Sequence, residues 1–480
     1  MDGVMEEERT AQGSSSHAEN NERKELMFSL EGMEVDETHE YDRKIVFFRD
    51  LGRFKLTERK YDDDSLNIYT ARLNDLREDT LRTAKLKWTD YSYVEVSRLA
   101  MEGPGKSYIL VGVLYKEQRL KPSLVRDLSK ELQLEAQPSN NNYASVDDKL
   151  FLEDETLRVR LVGNHIDIQE VVTGLVCAVL GRELENGTFW VEDWCFPGYY
   201  PKPSSSSGSL VEDGKILLVS GLDLVNNTDE LSLDLLSEWI TGMAGCADAQ
   251  KEEAVIARVI IAGNTIRGSA KIYNHKGYHE IKSHDQLKIK EDVMAMHKLD
   301  AFLSNILHCC CVVLMPGEFD PACNYTMPQQ PFHPCTLQKS ARFKSMHGAT
   351  NPWIANIGGR VVAGSCGGPI MDIMKIAGLS QLSPLEWLER TLIWRHYAPT
   401  GPDTLPIYPF FKNDPFVMNE WPDIYFAGNM DKYDTKLVTA DEGHTVRLIC
   451  VPKFSETKTA VLVNLQDLTT QSVSFGDGLS

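Results

Sequence analysis

A chain of 480 residues suits two or three domains, and 42% hydrophobic with 25% charged residues is the balance of a globular protein with full-sized cores. A formal net charge of −20 argues against autonomous binding to nucleic acid, which draws on Lys and Arg to neutralise phosphate. No apolar run approaches the roughly 20 residues of a membrane-spanning helix. The acidic stretch from Met1 to Thr10 lacks the basic and apolar regions of a secretory signal, so the chain is expected inside the cell with its ten cysteines reduced.

Residues 1–42 hold 13 Asp and Glu against 3 Lys and Arg, which is 10 of the 20 net negative charges. Composition of this kind predicts a disordered tail. From Ser65 to Trp88 the apolar residues Ile68, Leu73, Leu76, Leu81 and Leu86 recur at helical spacing, which predicts one amphipathic helix or two short ones. The period then shortens. Tyr108 to Tyr115 is a strand, and Lys149 to Gly163 alternates on each side of Glu155–Thr156, the pattern of a hairpin. Two more strands, Thr173 to Gly181 and Thr188 to Phe196, flank the turn Glu185–Asn186–Gly187. With a helical insert at Pro122 to Leu134, these five strands suggest a small closed barrel of the OB type.

Lys202 to Ser209 (KPSSSSGS) reads as a linker or an exposed loop. Beyond it the apolar runs Lys215 to Ser220, Val255 to Ala262 and Cys309 to Met315 do not alternate, as expected of strands buried on both faces. A helical pattern, Lys290 to Leu307, separates the last two. Ser383 to Trp394 is a helix with Ser383 as N-cap, Pro384 at the first position and Glu386 at the third. Three strands close the chain, around Thr445–Val451, Thr459–Asn464 and Gln471–Phe475.

Each apolar strand of the second half ends in a short polar turn: Ser220–Gly221–Leu222–Asp223, Gly263–Asn264–Thr265, Gly317–Glu318–Phe319–Asp320 and Gly428–Asn429–Met430–Asp431. Ligand sites of open α/β sheets gather at strand C-termini, so the four turns are expected to converge on one crevice. Their spacing and order resemble the calcineurin-type metallophosphoesterases, whose Asp-x-His, Gly-Asp, Gly-Asn-His and Gly-His-x-His turns hold two metals roughly 4 Å apart. Against that pattern the ligands are absent. Gly221 and Asp223 stand for the first pair, Asn264 for the Gly-Asp aspartate, Glu318 and Phe319 for Asn-His, and Asn429 and Asp431 for the last pair. Asp223, Asp320, Asp431 and Glu318 could still attract a cation, and His396 is the one histidine placed as a further ligand; the simpler reading is that the aspartates cap helices or close turns. These vestigial positions predict no catalytic residue, no bound metal and no cofactor.

Three other patterns invite chemistry and fail on context. Gly163–Asn164–His165 ends an alternating barrel strand and reads as a turn. Ala363–Gly364–Ser365–Cys366–Gly367 resembles a nucleophile elbow but begins with Ala, and reads as a Gly-rich turn. Cys309–Cys310–Cys311 lacks a second pair and reads as buried core cysteine. The barrel aromatics Tyr108, Tyr115, Phe151, Phe189 and Trp190 lack the basic groove of a single-strand binder and read as core.

Met315 to Cys335 (MPGEFDPACNYTMPQQPFHPC) closely resembles the stretch that marks the B-subunits of DNA polymerase delta. Ile260–Asn264, Lys298–Phe302, Arg395–Pro409 and Asp423–Asn429 follow in that family's order, and the resemblance covers roughly residues 43–475. One departure is Gly364–Ser365–Cys366–Gly367–Gly368–Pro369, where the family usually has Gly-Thr-Ser-Gly-Gln-Asn.

The resemblance implies an α+β chain: an N-terminal OB-fold barrel with helices, then an α/β metallophosphoesterase-like sandwich lacking its metal ligands. The expected boundaries are 1–42 for the tail, 43–205 for the helical segment and OB-fold domain, and 206–480 for the inactive phosphoesterase domain. It further implies a non-catalytic scaffold in the nucleus, serving replication and repair. The scaffold would bridge the C-terminal metal-binding domain of the catalytic subunit to a third, elongated, clamp-binding subunit, and meet DNA only through the complex, with no membrane partner. The alternative is an active metallophosphoesterase with an atypical site.

Overall fold

A computed structural model describes residues 41–56, 67–95, 106–121, 142–200, 211–227, 229–245, 247–268, 278–321, 325–410, 413–440 and 444–476. The expected insert at Pro122 to Leu134, the linker at Lys202 to Ser209 and nearly all of the acidic tail lie outside these residues. Residues 43–480 form one compact unit.

In chain order the elements begin with β1 (Phe48–Asp50), α1 (Asn67–Lys87), β2 (Val94–Glu95), β3 (Ser107–Glu117), β4 (Lys149–Glu153), β5 (Arg158–Val162), β6 (Val176–Glu183) and β7 (Phe189–Cys195). The sheet runs β2-β3-β4-β5-β7-β6, and β3 also pairs β6, so it closes on itself. This is the barrel that the alternating runs predict. Its interior takes alternate residues such as Leu110, Leu114, Leu150 and Leu152, while Ile109, Val111 and Val113 point outward. That outer face is covered by α1 through Leu73, Leu76 and Ala84, with Trp88 just beyond it, so the helical spacing belongs to one helix rather than two. Of the five aromatics expected in the core, Tyr108 and Phe189 are fully buried, whereas Tyr115, Phe151 and Trp190 are half-buried. The Arg158 guanidinium lies over the half-buried Tyr115 ring, 4.4 Å from its centre.

The second half continues with β8 (Lys215–Val219), α2 (Glu230–Thr241), α3 (Ala247–Glu253), β9 (Ile256–Ala262), α4 (Tyr278–Leu307), β10 (Cys311–Met315), β11 (Met346–Gly348), β12 (Trp353–Ile357), β13 (Arg360–Ser365), α5 (Gly368–Ile376) and α6 (Pro384–Trp394). It ends with β14 (Ile424–Met430), β15 (Asp434–Thr439), β16 (Thr445–Pro452), α7 (Phe454–Thr457), β17 (Thr459–Asn464) and β18 (Thr470–Ser474). One sheet has the order β11-β10-β9-β8-β17-β18, the other β1-β12-β13-β14-β16-β15. Their facing surfaces share one core, with Ile216, Leu218, Ile260 and Val313 on one side and Ala355, Val362, Phe426 and Ile449 on the other. The opposite faces of the same strands are buried too: Leu217, Val259 and Val312 pack with Leu236, Leu299 and Leu303 of α2 and α4. Burial on both faces is why these runs do not alternate.

Several expectations need correcting. The last of the three apolar runs starts its strand at Cys311, not Cys309; Cys309 is exposed in the turn after α4, and only Cys310 of the three is buried. An apolar run does not distinguish a tight turn from a strand end. Helix α4 begins at Tyr278, well before Lys290. Helix α6 conforms: Ser383 and Glu386 form a reciprocal capping box that spans Pro384 at the first helical position.

Candidate functional site

The C-terminal ends of β8, β9, β10 and β14 do meet. Gly221 N donates to Gly263 O at 3.0 Å and Asp223 N to Asn264 O at 3.1 Å, which ties the first turn to the second. The second and third turns are joined by Asp320, which is buried and accepts from Ile266 N (2.7 Å), Gly317 N (2.9 Å), Thr265 N (3.2 Å) and Thr265 Oγ1 (3.3 Å). Burial pushes its carboxyl above the ordinary aspartate value, against the pull of those donors. Asn264 is also buried, and its Oδ1 accepts from Phe319 N at 3.3 Å.

The fourth turn is a bulge inside β14 rather than a loop after it: the strand runs to Met430, with its register against β16 shifting between Ala427 and Met430. Asn429 occupies the bulge at φ 58° and is buried. Its backbone N donates to Ser220 Oγ (2.9 Å), and its Nδ2 donates to Ala262 O (3.1 Å) and Cys366 O (2.9 Å). The amide of Asn429 therefore pins β14 to the ends of β9 and β13, across the two sheets. Its Oδ1 has no hydrogen-bond partner among the described residues.

Packing at this junction is too close for larger residues. A Cβ on Gly317 would stand 2.2 Å from both the backbone N and the Oδ1 of Asn264, and one on Gly221 would stand 2.6 Å from Asn429 Oδ1. Left-handed backbone recurs at Gly221 (φ 62°), Asp223 (46°), Gly263 (77°), Asn264 (52°), Asn429 (58°) and Gly367 (89°). Such geometry costs a non-glycine residue about 1–3 kcal/mol and persists only where the surroundings hold it. Here the inter-turn hydrogen bonds do so.

The remaining predicted positions divide. Asp223 is half-buried, accepts from Asn226 Nδ2 at 2.8 and 3.0 Å and fills the space beside Gly268. Glu318 is half-buried with its carboxyl pushed up by burial, between Lys375 and Asp372 of α5. Asp431 faces solvent and pairs with Lys453 at 3.2 Å. Among the described residues, no three His, Cys, Asp or Glu side chains gather where they could hold a metal ion. Two of the acceptor groups a cation would need, on Asp320 and Asn264, already take backbone N–H groups.

His396 belongs to another cluster. Its Nδ1 accepts from Ala398 N (3.1 Å), so Nε2 carries the proton and donates to Asp414 Oδ2 (2.9 Å). Burial, with the neighbouring Arg72, lowers its pKa to about 4. Arg72 of α1, invisible as special in the sequence, donates to Asp414 Oδ2 (2.7 Å) and to the carbonyls of Gly174 (2.8 Å), Pro399 (3.0 Å) and Gly401 (2.9 Å). It thereby joins the helix, the barrel and the second half. Ser365 ends β13 and Cys366 begins the tight turn to α5, in which Ser365 Oγ accepts from Gly367 N at 3.2 Å.

Two family models match the chain in succession. Residues 66–194 match the family model of the DNA polymerase delta subunit OB-fold domain, which spans the closed barrel. Residues 216–435 match the family model of the DNA polymerase alpha/epsilon B-subunit. A DNA polymerase delta small subunit of Arabidopsis thaliana is 37% identical over 446 residues, covering 92% of this chain and 98% of the relative. The DNA polymerase delta subunit 2 of Drosophila melanogaster is 35% identical over 88% of this chain and 95% of its own length. The chain belongs to the DNA polymerase delta small-subunit family. A small subunit from Saccharomyces cerevisiae extends the likeness to 30% identity over 87% of the chain and 90% of that protein. For a member of this family the barrel is an OB-fold, and the α+β architecture follows the family's order of domains.

Proposed function

We propose that the chain is a non-catalytic accessory subunit of the DNA polymerase delta complex, with 43–205 as its helical and OB-fold domain and 206–480 as a metallophosphoesterase-like domain without activity. The supporting observation is the state of the crevice. Where a two-metal enzyme sets oxygen and imidazole ligands around an open, water-accessible centre, this chain has Asp320 and Asn264 bonded to backbone amides, Asn429 bonded to two carbonyls, and glycines at 221 and 317 in near contact with asparagine side chains. The same polar turns hold the two sheets together. Gly221, Asp223, Asn264, Glu318, Phe319, Asp320, Asn429 and Asp431 are on this reading a vestigial site turned to structural use.

Family membership supports the rest: a nuclear role in replication and repair, bridging the catalytic subunit's C-terminal metal-binding domain to an elongated clamp-binding subunit. No described helix is long and apolar enough to cross a membrane, and the net charge of −20 favours protein over DNA as the direct partner. Elemental analysis after dialysis against manganese, with turnover assays on a generic phosphodiester and a 3′-end-labelled oligonucleotide, tests the claim of inactivity. Sub-stoichiometric metal and no turnover are expected. Stoichiometric manganese with turnover abolished by Asp223→Ala or Asp320→Ala would replace this reading with the active metallophosphoesterase.

A further inference from the structure

The adjacent cysteines 309–311 have no role in the crevice, and one of them stands beside an uncompensated charge. Cys311 opens β10 and is half-buried. Its Cα partner across the parallel ladder to β9 is Arg258. Alternate residues of the two strands, Ile260 and Ala262 on β9 and Val313 and Met315 on β10, enter the core between the sheets, so Arg258 and Cys311 turn to that same face. The Arg258 guanidinium lies 3.7 Å from the centre of the Phe48 ring, and Phe48 packs against His347 of β11 at 5.1 Å. Strand β10 runs between β9 and β11, so Phe48 meets both residues over the first half of β10, where Cys311 stands.

Arg258 is 6% exposed and makes no hydrogen bond or ion pair among the described residues; its Nε is buried without an acceptor. A stacked ring returns only part of what a guanidinium loses on leaving water. Burial accordingly pulls its pKa below the ordinary arginine value, and the groups acting against burial are Cys311 and then Cys310, with no carboxylate among them. The acid on the adjoining strand is committed elsewhere: Asp50 accepts from Gly52 N (3.0 Å) and pairs with Lys55 (2.5 Å) and His347 Nε2 (3.1 Å). A buried cation thus lacks a counter-ion and has a sulfur at its side.

We propose that Cys311 is a peroxide-sensitive thiol whose oxidised, anionic form serves as the counter-ion of Arg258. Reactive cysteines occupy partly exposed, electropositive surroundings. Other thiols differ: burial pushes Cys195 and Cys450 up to about 12, and Cys310 and Cys366 up to about 11. Cys309 is exposed, but the cation near it, Arg43, already donates to the carbonyls of Ile240 and Ile256. In the reaction the Cys311 sulfur attacks one oxygen of hydrogen peroxide. An S–O bond forms as the O–O bond breaks, and the leaving hydroxide takes up the thiol proton as water. Sulfur is oxidised by two electrons and the peroxide is reduced by two, which gives the sulfenic acid and water. The guanidinium stabilises negative charge on the reacting atoms and then pairs with the sulfenate. A dithiol reverses the change: it returns the Cys311 thiol, becomes a disulfide and releases water. Because Cys311 opens β10 and the crevice lies beyond the strand's other end, the proposal stands apart from the accessory-subunit reading.

The test treats the full chain with hydrogen peroxide and dimedone and reads the label at each cysteine by peptide mass spectrometry. In the native chain Cys311 should be labelled about tenfold or more faster than the more exposed Cys309 and Cys335, and the preference should vanish in urea. Arg258→Met should slow labelling at Cys311 by about tenfold or more while Cys335 keeps its rate; Arg258→Lys, which keeps the charge, should restore most of it. Circular dichroism checks that the variants fold, and if Arg258→Met does not, the native-against-urea comparison in the unaltered chain decides. Labelling at Cys309 or Cys335 ahead of Cys311, a preference that persists in urea, or a folded Arg258→Met chain labelled at the unaltered rate overturns the proposal.

Discussion

Replacing Arg72 with Met probes how the barrel is held to the rest of the chain. The guanidinium is 1% exposed and makes four hydrogen bonds to three separate segments. Its carboxylate partner, Asp414, is fully buried and held well below the usual aspartate range, chiefly by Arg72 and then His396, against the cost of desolvation. Breaking such a pair strands a buried charge, which costs about 3–5 kcal/mol. Urea unfolding of the full chain at pH 7.5 should show a loss of that size.

The pH dependence supplies a second check. In the native protein His396 titrates at about 4, below the ordinary histidine value of 6.5, so the folded chain binds fewer protons than the unfolded chain between those values. Its contribution to stability is therefore present above pH 6.5 and lost as pH falls toward 4. Burial keeps part of that depression without Arg72, but the share due to the guanidinium is relieved, and a protonated His396 can pair with Asp414. The gap between native and variant should narrow from pH 7.5 to pH 5.5. A loss under about 1 kcal/mol at pH 7.5, or a gap that widens on acidification, would refute this account of the network.

Gly317→Ala should destabilise by about 1–3 kcal/mol through overpacking against Asn264, and by more than Gly476→Ala, whose added Cβ makes only ordinary contacts of 3.5 Å and longer; equal urea midpoints would contradict the close packing of the crevice. Lys116, buried beside Asp148 at 3.7 Å, has its pKa lowered by burial from 10.5 to about 8. Because the folded state releases that proton first, the native chain should gain stability relative to Lys116→Met as pH rises from 8 toward 10.5, measured as paired urea midpoints. Binding of the purified chain to single- or double-stranded DNA should be no tighter than about 10⁻⁶ M at physiological salt by fluorescence anisotropy.

Local signals were enough for the barrel strands, helix α1, the capping box of α6 and the meeting of the four turns. In each case a period, a cap or a short Gly-containing segment specifies the backbone directly. What escaped was long-range. Nothing local marks that β17 lies antiparallel beside β8, or that Arg72 finds Asp414 across 342 residues. Strand β1 is only three residues long, and its pairing with β12 is decided by a partner some three hundred positions away. Gly428–Asn429 reads as a turn because that dipeptide favours left-handed backbone; within β14 the same preference makes a bulge, stabilised by Ser220 Oγ. His396 was distinctive as a residue type, but its role depends on Arg72 and Asp414, which no spacing connects to it.

A structural subunit of polymerase delta must assemble with the catalytic subunit. The full chain should be mixed with the C-terminal metal-binding region of the catalytic subunit, then followed by light scattering and thermal unfolding. A stable complex should form, with a melting temperature that rises with partner concentration, corresponding to about 2.7 kcal/mol at a hundred times Kd. No complex, and a melting temperature unmoved at saturating partner, would contradict it.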